Sequence, residues 1–189
     1  MSDKVFPEEK WQRLVSEERH QRMNPEAFFA IAHPQADEVW ADVGCGPGFF
    51  TIPLAQRVNK VIAIDISDKM LQICQQRANE AHVTNIEFIQ AKGEDLQLPG
   101  ESVHRVLMVN VYHEFDNRPR VIEKIDHLLK SDGKVFVIDW QYKAMEIGPP
   151  LEHRLKPDVV QEEWTQNGFR FGNAYSIYED FYVLEFVKK

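Results

Sequence analysis

At 189 residues and 22.1 kDa, with 43% hydrophobic and 28% charged residues, the chain has the length of one domain, expected over 1–189, and enough Val, Ile, Leu and Phe for one core. Its 22 basic and 30 acidic residues leave a formal charge of -8 without a Lys/Arg cluster, which argues against nucleic acid as a partner, because phosphate backbones are held by concentrated positive charge. No apolar run reaches the roughly 18 residues that span a bilayer, Met1–Lys10 lacks the apolar stretch of a signal peptide, and Cys45 and Cys74 have no partners at zinc spacing; a cytoplasmic protein with no membrane contact, no disulfide and no metal is expected.

The chain opens on Pro7–Arg22, highly charged, with Phe6, Trp11 and Leu14 as its few large apolar groups. Asn24-Pro25 then starts a short helix that ends before Pro34. Residues 1–34 therefore read as a helical cover on a core of 35–189. Either Phe6–Arg22 moves and closes over a ligand, with Trp11 and Phe6 excluding water, or it is a surface helix shielding a sheet edge.

From there β-branched runs alternate with stretches of helical period. Strands are expected at Val39–Val43, Lys60–Asp65, Ile86–Gln90, Val103–Asn110 and Lys134–Trp140. Met70, Leu71, Cys74, Ala78 and Ala81 share one helical face, and Val121, Ile122, Ile125, Leu128 and Leu129 another. Such alternation gives an α/β, doubly wound, mostly parallel sheet with helices on both faces. Gly133 is expected to close the second helix in a left-handed conformation. A helix from Pro157 to Gly168 and two β-like runs, Arg170–Ile177 and Asp180–Val187, complete the chain as a C-terminal hairpin on the sheet edge.

The stretch Asp42-Val43-Gly44-Cys45-Gly46-Pro47-Gly48-Phe49 runs from an apolar strand into a turn with three glycines and then a helix. Glycines admit close approach to backbone, and the following helix offers free N–H groups. Dinucleotide binders use a similar G-x-G-x-x-G, but their third glycine is here Phe49. Asp42 would repel a pyrophosphate and attract an ammonium or sulfonium cation. Asp65 ends the next strand, placed to accept both ribose hydroxyls or merely to cap the following helix, for which Ser67 is the better N-cap.

Together with Gly93-Glu94-Asp95-Leu96, these residues resemble the class I S-adenosylmethionine-dependent methyltransferases of the small-molecule type (methyltransferase domain 11/25-like), over residues 37 to 140 or so. The resemblance implies a Rossmann-like seven-stranded sheet whose last strands form an antiparallel hairpin, and S-adenosyl-L-methionine as cofactor. It places Asp42, Gly44 and Gly46 at the methionine end, with Cys45 and Gly48 completing the loop, Asp65 at the ribose, Ile66 and Met70 against adenine, and Gly93 and Glu94 at the adenine edge. Lys92 stands where relatives often carry an acid, so Glu94 either takes the adenine amino contact or is a solvated acid.

In open α/β sheets, ligands meet the carboxyl ends of the strands. There lie Asn110-Val111-Tyr112-His113-Glu114 and Asp139-Trp140-Gln141-Tyr142. Methyl transfer needs a positioned acceptor and, for a protonated one, a base. His113 has the right pKa range, with Tyr112, Glu114 or Asp139 to orient it or bind the acceptor; it equally reads as an acceptor-lining or structural residue. Asn110 shapes the methionine subsite or is a polar strand terminus. Glu146–Arg154, with Gly-Pro-Pro at its centre, forms a stiff loop over the cleft, from which His153 and Arg154 either reach the acceptor or stay solvated. The expected function is methyl transfer to a small-molecule acceptor. A cofactor-binding subunit that activates a partner without turnover is the alternative, and a nicotinamide oxidoreductase the third reading. Oligomeric state is open.

Overall fold

The computed structural model describes residues 6–189; the first five residues of the expected cover and leader-free N-terminus lie outside them. Seven strands, β1 (Val39–Val43), β2 (Lys60–Asp65), β3 (Ile86–Gln90), β4 (Val103–Val109), β5 (Leu129–Trp140), β6 (Phe169–Tyr175) and β7 (Phe181–Lys188), form one sheet in the order β3-β2-β1-β4-β5-β7-β6. The first five are parallel; β7 runs antiparallel to both β5 and β6. The order reverses between β1 and β4, where β1's neighbours on the two sides leave in opposite directions and a crevice opens at the carboxyl ends.

Helices α1 (Glu17–Arg22), α2 (Pro25–Ala32), α3 (Thr51–Ala55), α4 (Asp68–Glu80), α5 (Arg118–Leu128) and α6 (Pro157–Gln166) connect and cover the sheet. Two apolar layers result. On one face α5 and α6 bury Val121, Ile122, Ile125 and Trp164 against Val106, Met108 and Val137; on the other, Phe28, Phe29 and Leu54 pack on Trp40, Leu107 and Phe136. Trp40 and Phe136, on neighbouring parts of the sheet, stack with centroids 5.9 Å apart. Capping follows side-chain chemistry: Asn24 accepts from the Glu26 amide, Ser67 from that of Met70 and Asn117 from that of Arg120, each satisfying an otherwise orphaned helical N–H.

The last helix ends at Gln166, short of Gly168, and the hairpin strands β6 and β7 are shifted by one or two residues from the sequence expectation; further differences lie in β5 and β4. β5 begins at Leu129, directly after α5, because Leu129 pairs with Val103 ahead of an irregularity in the β4–β5 ladder. The left-handed residue there is Asp132, φ 58°. Gly133 is required for space instead: a Cβ would lie 2.8 Å from Leu129 Cδ2 and from the Lys130 carbonyl oxygen. At the other end, β4 stops at Val109, and Asn110 turns out of the strand at φ 53°, a conformation that Asn tolerates better than most residues.

Residues 8–15 form a 3-10 helix rather than the start of an α-helix. It and α1 lie across the carboxyl ends of the strands. Glu8 Oε2 accepts from Ser67 Oγ at 2.5 Å, Leu14 reaches to 3.7 Å of the Cβ position of Gly46, and Phe49 receives Arg19 over its ring and the edge of His20. Among the described residues no helix is long and apolar enough to cross a membrane.

Candidate active site

The glycine turn is held by its own amides. Gly44 and Cys45 both donate to the Ile64 carbonyl, at 2.8 and 3.0 Å, Gly48 donates to Cys45, and the Gly46 amide donates to Asp65 Oδ2 at 2.8 Å. Gly44 and Gly46 have φ of 76° and 53°, where an L side chain is strained, and both remain half-exposed to the crevice. Gly48 serves packing: a Cβ there would fall 2.5 Å from Cys74 Sγ. The Cys45 side chain turns inward beside Cys74, which leaves its backbone facing the crevice.

Asp65 accepts from the Ser67 amide at 2.9 Å as well as from Gly46, so one carboxylate ties the glycine turn to the start of α4. Asp42 is buried and accepts from Thr51 Oγ1 at 2.6 Å. Burial pushes the Asp42 carboxyl up to about 7, against the Thr51 hydrogen bond and with help from the negative charge of Asp65. Burial likewise raises Asp65, against its backbone hydrogen bonds. Ile66 is 45% exposed, an apolar surface beside Asp65. Met70 is buried behind it. Gly93 packs against Phe115, whose ring a Cβ would meet at 2.7 Å, and Glu94 accepts from the Asn117 amide at 3.4 Å.

Across the crevice, β4 and β5 bring together residues 26 apart in sequence. His113 is 4% exposed; its Nδ1 lies 2.7 Å from Asp139 Oδ1 and its backbone amide donates to Asp139 Oδ2 at 3.1 Å. Asp139 also accepts from the Trp140 amide at 2.8 Å. A carboxylate at Nδ1 fixes a proton there and leaves the Nε2 lone pair free. Burial opposes the charged imidazole, but the charge and hydrogen bond of Asp139 overcome it and hold the His113 pKa above its ordinary value. Burial raises Glu114 to about 7, opposed by His113 and by the Phe6 backbone, reinforced by Asp139 and Asp65.

Tyr112 departs from its expected role. Its ring is fully buried with Trp164 and Phe115, and its hydroxyl donates to Glu163 Oε2 at 2.8 Å, on a carboxylate that also takes both forks of Arg118. Within a 3-10 turn, consecutive residues point to different sides, so Tyr112 enters the core and fastens α6 to the sheet. Arg154 is also no acceptor ligand: it is 5% exposed, and its guanidinium donates to the carbonyls of Pro149, Gln141, Lys143 and Ile147. It forms the centre of the loop over 141–154, above Trp140, against whose ring Gly148 is pressed.

Asn110 supplies the most telling observation. Both its amide nitrogen and its amide oxygen are buried without a hydrogen-bond partner among the described residues, a costly arrangement for a polar group unless a ligand pairs with it. The orphaned amide, the half-exposed glycine backbone, the carboxylates of Asp42 and Asp65 and the bare Ile66 side chain converge on one crevice.

A family model described as a methyltransferase domain matches residues 41–137, from the middle of β1 to the middle of β5. The chain belongs to this methyltransferase family. Among curated proteins, this methyltransferase is 37% identical over 94 residues to the “Probable S-adenosylmethionine-dependent methyltransferase CRG1” of Saccharomyces cerevisiae, covering 49% of the chain and 32% of the relative. It is 26% identical over 129 residues to the demethylmenaquinone methyltransferase of Oceanobacillus iheyensis, covering 67% and 54% respectively. The chain thus spans between a third and just over half of these relatives' lengths. A solved SAM-dependent methyltransferase of Aquifex aeolicus superposes with a TM-score of 0.92 at 22% identity, covering 98% of this chain and all of that one, a likeness of fold. The methyltransferase uses S-adenosylmethionine, and the crevice fits it: carboxylates for a cationic centre and ribose, bare apolar surface for adenine, an unpartnered amide for the amino-acid end. Among the described residues no group of three or more His, Cys, Asp and Glu could hold a metal ion.

Sequence reasoning missed Thr51 and Glu163, and it named Phe6–Arg22 as a cover without the contacts that Glu8, Leu14 and Arg19 make with Ser67, Gly46 and Phe49. Thr51 had a signal, since it opens the helix directly after the glycine turn. Glu163 lies 51 residues from Tyr112, and nothing local announces the pairing.

Proposed function

We propose that this methyltransferase alkylates a small protic acceptor, with His113 as general base and Asp139 as its positioning partner. The single observation that carries the proposal is the buried His113–Asp139 pair at the carboxyl ends of β4 and β5. The bound cofactor supplies an electrophilic methyl on a sulfonium, so no covalent intermediate with the protein is needed. Asp42 and Asp65 contribute negative charge that suits that cation; Asp65 accepts the ribose hydroxyls, Ile66 lies against adenine with Met70 supporting it from behind, and Gly93 and Glu94 border the ring's edge. Gly44, Cys45 and Gly46 present the turn's backbone to the methionine moiety while Gly48 seats the turn against Cys74, and the Asn110 amide pairs with its polar end.

On the acceptor side, Asp139 holds the Nδ1 proton and His113 Nε2 takes the acceptor's proton as the new bond to carbon forms, a contribution typically worth about 10²–10⁴ in rate. The loop over 141–154, braced by Arg154, and the strap of residues 6–22 shut water out of the crevice. Phenols and hydroquinones head the acceptor classes, because the demethylmenaquinone methyltransferases among the relatives are named for a quinone-type substrate and because a neutral ring avoids repulsion from the surrounding carboxylates. The test is production of S-adenosylhomocysteine from S-adenosylmethionine, followed by mass spectrometry, with phenol, hydroquinone, thiol, amine and carboxylate panels. Turnover with a neutral protic class, lost in His113→Gln, is the expected result; turnover unaffected by His113→Gln removes the base, and no turnover with intact cofactor binding favours a partner-activating subunit.

A further inference from the structure

A tyrosine hydroxyl lies buried beside the His113–Asp139 pair with no bond of its own. Antiparallel pairing of β5 with β7 sets Tyr182 directly opposite Asp139, and residues opposite one another in such a ladder share a face of the sheet, with Cβ atoms about 4.5–5.5 Å apart. That face is the layer covered by α5 and α6, where Tyr182 packs in one cluster with Tyr112, Val137 and Trp164. Tyr182 is 5% exposed, and its hydroxyl is buried without a hydrogen-bond partner among the described residues. A buried hydroxyl left unpaired is costly, so a neighbouring acceptor with room for it decides what it does.

The charged and titratable groups that face this hydroxyl are Asp139, Tyr112, Glu163 and Arg118. The bonds each has already made separate them. Glu163 is full, since Oε1 takes Arg118 Nε and Nη2 while Oε2 takes the Tyr112 hydroxyl and Arg118 Nε, and a carboxylate offers about four lone-pair sites in all. Asp139 is not. Its Oδ1 takes His113 Nδ1 and the Trp140 amide, but its Oδ2 takes only the His113 amide, at 3.1 Å. Arg118 accepts nothing, and the neutral oxygen of Tyr112 is a weaker acceptor than a carboxylate. The unpaired donor and the vacant lone pair are therefore side by side. Burial and the carboxylates nearby push the Tyr182 hydroxyl well above its ordinary pKa, so it stays a donor throughout the working range.

We propose that Tyr182 is a positioning residue for His113: its hydroxyl donates to Asp139 Oδ2 and thereby sets how firmly that carboxylate holds the imidazolium. The catalytic consequence rests on the reading of His113 as the base. The bond is strongest while His113 is neutral and the charge on Asp139 is uncompensated, so it favours the neutral imidazole, the form that takes a proton from the acceptor. The other charges facing His113, Glu114 in its own turn and Arg154 in the loop over 141–154, act in opposite senses and stay in place when the hydroxyl is removed.

NMR titration of the full chain with labelled histidine, in wild type and Tyr182→Phe, reads the His113 midpoint without acceptor or turnover; the resonance is assigned by its loss in His113→Gln. Phenylalanine keeps the ring in its cluster. Tyr182→Phe is expected to raise the midpoint by about 0.5 pH unit or more, the opposite direction to Asp139→Asn. The pH–rate profile should move the same way, with KM and the Kd for S-adenosylhomocysteine within about 2-fold of wild type. An unchanged or lowered His113 midpoint in folded Tyr182→Phe overturns the proposal, whatever the stability of the variant, because a hydroxyl that bonds to Tyr112 or only packs leaves His113 unmoved. A raised midpoint together with full turnover in His113→Gln is a separate outcome: it supports the tie from Tyr182 through Asp139 to His113 and removes only the reading of His113 as the base.

Discussion

The two halves of the crevice are built by different means. On the β1–β2 side the ligand surface is largely backbone: a turn of eight consecutive residues, kept open by positive φ at Gly44 and Gly46 and locked by Asp65. On the β4–β5 side it is side chains drawn from distant parts of the chain, His113 from after β4, Asp139 from β5, braced by Glu163 in α6 and Arg154 in the loop before it. A backbone surface tolerates little change because its shape is the ligand site, whereas a side-chain surface is re-cut by substitution without altering the fold. The contrast explains how one family holds one cofactor and takes many acceptors.

Substitutions can break this contrast, and the largest effect belongs to the base. His113→Gln should lower kcat by about 10²–10⁴ and leave the Kd for S-adenosylhomocysteine unchanged, because calorimetry reads the other half of the crevice. In the wild type the rate should climb with pH as the imidazolium loses its proton, through a midpoint above the ordinary histidine value, because Asp139 holds the charged form. Asp139→Asn should shift that midpoint downward, which a residue serving only to brace β5 would not do.

Asp65→Ala comes next. It removes an acceptor from the Gly46 and Ser67 amides and the proposed partner of the ribose, so S-adenosylhomocysteine affinity should fall by about 10–100-fold, at about 1.5–3 kcal/mol for a charge-assisted hydrogen bond, measured by the same titration. Retained affinity would mean that the turn holds its shape without its carboxylate tie.

A smaller effect separates the cationic cofactor from its neutral product. Asp42 titrates at about 7 because burial disfavours its charged form, so it is neutral below that pH and negative above it. S-adenosylmethionine should therefore gain several-fold over S-adenosylhomocysteine between pH 6 and pH 8, and the gain should vanish in Asp42→Asn. The same sign makes Asp42 a stability liability: its raised pKa costs the folded state progressively as pH rises through about 7.

Smallest is Tyr112→Phe. Losing the hydroxyl leaves Glu163 with Arg118, so stability should drop by about 1 kcal/mol in a denaturant titration, with kcat within about 2-fold of wild type. A large kcat loss at unchanged stability would return Tyr112 to the acceptor site.

What could be read from sequence alone was whatever is local. Hydrophobic period placed β1, β2, β3, the core face of α4 as far as Ala78, with Ala81 left exposed at the C-cap, and the C-terminal hairpin, because strand and helix periods are properties of consecutive residues. The glycine turn and its two acids marked the cofactor half for the same reason, and the family and cofactor followed from them. Boundaries failed where pairing overrode local signals, at Leu129, drawn into β5 by Val103, and at Gly133, needed for room and not for its φ. The acceptor half was legible only as a list of candidates. His113 and Tyr112 are neighbours in a polar run, and their identical sequence context gives no hint that one meets Asp139 while the other enters the core with Trp164 and Glu163. That choice was made by the tertiary structure, because the direction of a side chain in a short turn depends on which distant strand and helix pack beside it. Composition and local pattern determined that this chain folds as a doubly wound sheet around an adenosyl-type turn; packing between segments tens of residues apart decided which of its polar side chains face the crevice and which hold the scaffold together.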